Sequence, residues 1–251
     1  MSARPVDPVS TSIVEGQRIE QTPNVQRVFR NAVAYRIQWR HFLYFYMLPN
    51  IAAFALLPVF GWPTTIECLL FLTGWFATCL GVSVGFHRLF THKAFKTFTW
   101  IEGTLAIFGM LAGGGSLVSW VGIHRRHHEK SDSEGDPHSP LGSPPAERKT
   151  WRSWIVGMIH AQGGWMRRHE YPNPQFYTRD LSRKPWLMAI NRRYHWWVFI
   201  GLILPGIVNG LLEWNWFAVL RGMYFGGLLR IVLVHHAISS INSICHGVGW
   251  R

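Results

Sequence analysis

The sequence predicts an all-α integral membrane protein, and three observations carry that reading. Of the 251 residues 48% are hydrophobic, 14 are tryptophan and only 15% are charged, against about 25% charged in ordinary soluble domains. Several uncharged apolar runs reach the roughly 20 residues that a helix needs to cross a hydrocarbon core. Basic residues are segregated: apart from Arg221 and Arg230, every Lys and Arg precedes the first apolar run, lies between residues 88 and 193, or is Arg251.

Residues 1–40 read as a polar and basic tail. The first 25 carry Pro5, Pro8 and Pro23 and lack the apolar region of a cleavable signal peptide. Arg27, Arg30, Arg36 and Arg40 follow. Residues 41–251 are expected to form one membrane domain, incomplete at its C-terminal end. Phe42 to Trp62 is free of charge and contains Pro49 and Pro58 as expected kinks. After a short turn, Cys68 to Phe86 gives a second crossing, so the two form a hairpin. Trp196–Leu212 and Trp214–Val234, turning at Glu213, form another.

Trp100–Trp120 would also pass a hydropathy window, with Glu102 as its one charge. A full crossing there would put the basic stretches after His87 and after His124 on opposite sides of the membrane. The segment is therefore predicted to be re-entrant or interfacial, broken at Gly113-Gly114-Gly115, with protein or water satisfying its backbone. Four crossings, this segment and a polar helical cap between the hairpins complete the expected architecture. The hairpin turns lack Lys and Arg, so the positive-inside rule puts both termini and the cap in the cytoplasm.

A net charge of +12 is explained by that topology without nucleic acid. The three cysteines, Cys68, Cys79 and Cys245, show neither a zinc spacing nor a disulfide framework.

The sequence has thirteen histidines, and their placement says more than their number. HRLFTH (87–92), HRRHH (124–128) and INSICH (241–246) all fall at predicted helix mouths on one side of the membrane, which makes a shared metal site possible. His124, His127 and His128 share a helical face in the i, i+3, i+4 pattern. His87 and His92, five apart, need a turned helix end. Glu129, Asp132 and Asp136 are candidate acceptors for the rings. Imidazoles without a cysteine cluster suit iron, zinc or copper. His41, His160, His169 and His195 read as interfacial or hydrogen-bonded residues, while His235 and His236 leave both readings open.

These boxes, with SDSEGDPHSP after the second and INSICHGVG at 241–249, resemble the membrane fatty acid desaturases, specifically the acyl-CoA Δ9 branch. The resemblance runs from about Phe42 to the end of the sequence. It implies four membrane helices beneath a cytosolic cap and two non-haem irons held by His87, His92, His124, His127, His128 and His246, with Asn242 reaching one iron through a water. Relatives carry a further His-x-x-His-His box beyond Asn-Ser-x-x-His. The sequence ends at Arg251 before reaching one, so the resemblance implies an incomplete ligand set and a possible inactive form. Relatives also often have His-x-Gly-Trp in the cap, where this sequence reads Gln162-Gly163-Gly164-Trp165.

The implied reaction is O₂-dependent desaturation of a fatty acyl-CoA or other acyl lipid. Electrons would come from a separate donor, a cytochrome b5-like protein or a ferredoxin/NADPH reductase system, steered to the basic face. Arg125, Arg126 and Arg152, with Arg167 and Arg168, are candidates for the CoA phosphates, and Trp120 for the acyl tunnel. The rival readings are a membrane di-iron hydroxylase or oxygenase, and a non-enzymatic remnant or metal-handling protein. Transport sites usually lie near the bilayer midplane, whereas these histidines collect at helix ends.

Overall fold

The computed structural model describes residues 26–140, 150–167 and 169–246. The predicted tail at 1–25, Arg168 and the residues after His246 lie outside that range.

Among the described residues, four helices are long and apolar enough to cross a membrane: α1 (Ala32–Phe60), α2 (Thr65–Thr91), α9 (Tyr194–Glu213) and α10 (Trp216–Cys245). Helices α2 and α9 contain the runs read from hydropathy, whereas α1 begins ten residues before Phe42 and stops two short of Trp62, and α10 starts two residues after Trp214 and continues past Val234. Hydropathy stops at the first charge, whereas backbone bonding continues until a cap ends it. The Asn31 side chain caps α1 by accepting from the Ala34 N–H at 2.9 Å. At the head of α2 a reciprocal pair joins Thr64 and Glu67: the Thr64 N–H donates to Glu67 Oε2 (2.8 Å) and the Glu67 N–H to Thr64 Oγ1 (3.3 Å). Helix α9 ends at Glu213 because Trp214 turns left-handed (φ 46°), and Asn215 then caps α10.

The segment predicted to be re-entrant is two helices, α3 (Thr99–Leu111) and α4 (Leu117–Lys130). At 13 residues, about 20 Å, α3 is too short to span a bilayer. The break is made by Gly113 (φ 75°) and Gly115 (φ 119°), conformations that cost an L-residue dearly. Its backbone is satisfied from the side. The Tyr194 hydroxyl accepts from the Gly115 N–H (3.1 Å) and donates to the Gly113 carbonyl (2.7 Å). Asn191 accepts from the Val118 N–H at 3.0 Å. Arg230, buried in α10, donates to the carbonyls of Leu111 (3.3 Å), Gly201 (3.1 Å) and Gly226 (2.8 Å).

Helix α5 (Trp151–Gln162), the short helices α6 (Pro174–Tyr177) and α7 (Arg179–Ser182), and α8 (Pro185–Arg192) fill the region between α4 and α9. A two-stranded antiparallel ribbon ties Val28–Phe29 to Tyr171–Pro172. The main core packs Phe86 and Phe90 of α2 against Leu105 and Met110 of α3, Val121 of α4 and Leu187 of α8. Burial differs along the bundle: 56% of the apolar window of α10 is inside the protein but only 6% of that of α1, so α10 is the central helix and α1 the peripheral one. The two interhelical turns are tied together by Arg221, which donates to both carboxylate oxygens of Glu67 (2.7 Å each) and to the carbonyls of Phe60 and Trp62.

Candidate metal centre

The end of α2 is wound in wide turns over Gly81–Thr91, and the His92 N–H bonds the His87 carbonyl, five residues back, at 3.0 Å. Such turns are frequent at functional sites. This one resolves the five-residue spacing: His87 Nε2 and His92 Nε2 converge to 3.0 Å. On α4, His124 Nε2 and His128 Nε2 approach to 3.2 Å. The four rings form one group in which a ligand nitrogen from each lies within 4.8 Å of the others. Ring nitrogens drawn together this way, without an acid among them, are what a bound cation would reconcile.

His127 does not join them. Successive residues turn by about 100° on a helix, so positions 127 and 128 diverge by that angle while 124 and 128 differ by about 40°. The single shared face read from the sequence is therefore divided between two groups. His127, Asp136 and His138 form the second, again within 4.8 Å. Asp136 accepts from His127 Nδ1 (2.9 Å) and from the N–H groups of Asp132 (2.8 Å) and His138 (3.1 Å). The His127 ring is thereby oriented with Nε2 free to face a metal, the usual carboxylate–imidazole arrangement. His246 lies with its ring 4.9 Å from that of His127 and its Nδ1 3.4 Å from Asp132 Oδ1. Asn242 sits in another wide turn, Ile241–Cys245, half-buried.

His138 was not singled out by sequence reasoning, although it follows HRRHH within SDSEGDPHSP. Its ring is 4.3 Å from that of His127 and 5.4 Å from Trp165. Its buried Nδ1 has no hydrogen-bond partner among the described residues. An orphaned buried ring nitrogen beside an oriented histidine fits a metal, as does the convergent quartet. Electrostatics agree. Burial and the neighbouring imidazoles push His124 down to about 2, and burial with His127 pushes His138 down to about 3. Both rings are thus neutral near pH 7, the form that ligates. Burial would raise Asp136, but the bonds from His127, Asp132 and His138 hold it below the usual carboxylate range.

The opposite side of α4 anchors it. Arg125 donates to Asp180 (2.7 and 3.0 Å) and to the carbonyls of Tyr177 and Phe90 (2.6 Å each). Arg126 donates to Glu170 (2.8 Å) and approaches Glu129, which also binds Tyr177 and Arg27. Glu129 thus belongs to this ionic cluster rather than to a histidine. Arg152 is exposed, with its guanidinium over Trp151, and Arg167 lies over Phe42. Trp120 packs between Phe86 and His124, with ring centroids at 5.5 and 4.8 Å.

Residues 61–251 match the family described as fatty acid desaturase. The chain belongs to the fatty acid desaturase family. Among curated relatives of this chain, a hex-5-enoyl-[acyl-carrier protein] acetylenase of Moorena producens is 39% identical over 215 residues, covering 85% of this chain and 66% of that protein. An sn-1 stearoyl-lipid 9-desaturase of Anabaena variabilis is 33% identical, covering 86% and 71%. A probable acyl-CoA desaturase of Schizosaccharomyces pombe is 31% identical, covering 85% and 41%. The chain therefore spans about two thirds of the first two and less than half of the third.

Proposed function

We propose that the protein is an O₂-dependent fatty acyl desaturase that introduces a cis double bond, with residues 41–251 as its membrane domain. The observation that carries the reading is the pair of histidine groups divided across one helix. His87, His92, His124 and His128 would hold one iron, and His127, His138 and His246, with Asn242 through a water, the other. When bound, such a di-iron centre supplies the oxidant that an unactivated methylene chain requires: –CH₂–CH₂– + O₂ + 2 H⁺ + 2 e⁻ gives –CH=CH– + 2 H₂O.

The residues of the chain prepare that chemistry. Asp136 and Asp132 fix the rings of His127 and His246, the wide turn of α2 brings His87 onto His92, and the core around Phe86 and Val121 excludes water beneath the quartet. Trp120, in contact with Phe86 and His124, would bound the acyl chain. The guanidinium groups of Arg125 and Arg126 hold α4 in place, which leaves Arg152 and Arg167, both exposed, as the candidates open to an anionic carrier among the described residues.

The two hairpins would open to the cytoplasm, with the region between α4 and α9 as a cap. Electrons would reach it from a cytochrome b5-like or ferredoxin-type donor. The relatives' names speak of acyl-carrier-protein, lipid and CoA substrates, so what they share is the fatty acyl chain; acyl-CoA remains one choice of carrier for this protein. His127→Ala is expected to abolish both desaturation and iron binding at the second group while membrane insertion is unchanged. Retained turnover, read by gas chromatography of the acyl products, would overturn the reading. A hydroxylated product would make the protein an oxygenase instead.

A further inference from the structure

A second polar network lies outside the histidine groups and runs in one direction through three helices, α10, α5 and α1. The Ser243 hydroxyl on α10 donates to Gln162 Oε1 at 2.7 Å. Gln162 Nε2 donates to His236 Nδ1 (3.1 Å) and to the His236 carbonyl (3.3 Å). That makes Nδ1 the acceptor of the His236 ring, so the proton sits on Nε2, which donates to Asn50 Oδ1 on α1 at 2.8 Å. Asn50 Nδ2 in turn donates to the Tyr46 carbonyl at 2.8 Å.

Gln162 is the hub, because its amide joins Ser243 on one side to His236 on the other, and it is the last residue of α5. Just beyond it, Gly163 and Gly164 lead to Trp165, whose ring packs edge-on against His138 at 5.4 Å. On its other side, Gln162 grips Ser243, which is 2% exposed and adjoins Asn242 in the wide turn Ile241–Cys245 that ends at His246. A turn of that kind lacks the regular α-helical ladder, so side-chain bonds set its register.

We propose that Gln162 is a positioning residue for the second metal group. Through Ser243 it sets the rotation of the turn bearing Asn242 and His246, and through Trp165 it sets the approach of His138. His236 and Asn50 hold the amide of Gln162 in the one orientation that does both. The proposal rests on the metal reading above, and the experiment separates the two.

The full chain in nanodiscs is titrated with cobalt(II), whose visible bands report coordination, and its thermal midpoint is followed in parallel. The wild type should show two binding events. Gln162→Leu should weaken one of them about 10- to 100-fold, the usual cost of losing a group that orients a ligand, and alter its band while the other stays unchanged. Gln162→Glu, which keeps an acceptor for Ser243, should restore most of the loss, and Ser243→Ala should shift the same event by a smaller factor.

Two outcomes would overturn the proposal. In one, Gln162→Leu and Ser243→Ala bind both metals like the wild type. In the other, both events weaken equally with a lowered thermal midpoint, which would make Gln162 merely structural. If the wild type takes up no cobalt, the metal reading itself fails, and this one with it.

Discussion

Asp180 shows how much of the site depends on single side chains away from the histidines. Burial would raise its carboxyl, but hydrogen bonds and charge from Arg125 and Lys93 outweigh burial and hold it well below the usual range. A carboxyl depressed on folding stabilises the protein above its unfolded value, and the contribution is lost as pH falls toward the folded one. Stability should therefore be flat from neutrality to about pH 5 and decline below about pH 4. Asp180→Asn should start lower and lose that part of the decline, as thermal unfolding across the pH series would show. Arg125 stands next to His124, so the same variant should loosen the helix that carries the box. The sequence shows both residues but not their pairing, because 55 residues separate them.

At the scale of elements, the break between α3 and α4 is where backbone conformation decides the design. Gly113→Ala puts a Cβ at φ 75°, 3.4 Å from Ile231 and 3.5 Å from His235 Nε2. Left-handed backbone alone costs an L-residue about 1–2 kcal/mol, so the thermal midpoint should fall. Gly114→Ala, at a residue without positive φ and with its nearest neighbour at 3.9 Å, should be nearly neutral. This break was legible beforehand: charge on either side of Trp100–Trp120 excluded a crossing, and three glycines marked the place.

Helix ends were less legible. Apolar runs locate a helix within the bilayer, but the capping of α1 by Asn31 and the continuation of α10 to Cys245 depend on hydrogen bonds that hydropathy does not register. The wide turn over Gly81–Thr91 has no periodic signature either, so HRLFTH could be noticed as a motif without its geometry being derived. His138 was missed because a lone histidine in a Pro- and Ser-rich loop has no spacing to announce it; only the fold sets it against His127.

Across the whole molecule, the histidine groups gather at one end and the Glu67–Arg221 pair locks the other. Glu67 is 1% exposed, and removing one partner of a buried pair typically costs about 3–5 kcal/mol, whereas replacing both with apolar residues is often close to neutral. Glu67→Ala should accordingly lower the thermal midpoint sharply. The double variant Glu67→Met/Arg221→Met should recover most of the loss, and neither should change metal content, since His87 and His92 lie at the opposite end of α2, His246 at that of α10, and the other histidines of the two groups on α4 and just beyond it. A metal content that followed the thermal midpoint would show that the two ends are coupled.

Sequence foresaw this polarity only in part. It places the histidines at helix mouths, but it shows Arg221 only as an exception to the charge pattern and not as the clasp between two turns. Arg230 lies within the same run, and in the fold it donates to the carbonyls of Leu111 and Gly201 on two other helices and of Gly226 on its own.

One helix, α4, supplies residues to both histidine groups, His124 and His128 to one and His127 to the other. Arg125 and Arg126 already tie that helix to Asp180, Tyr177, Phe90 and Glu170, so neither ion would have to order it for the other. Metal uptake should then be stepwise, with half-loaded protein well populated midway through the titration.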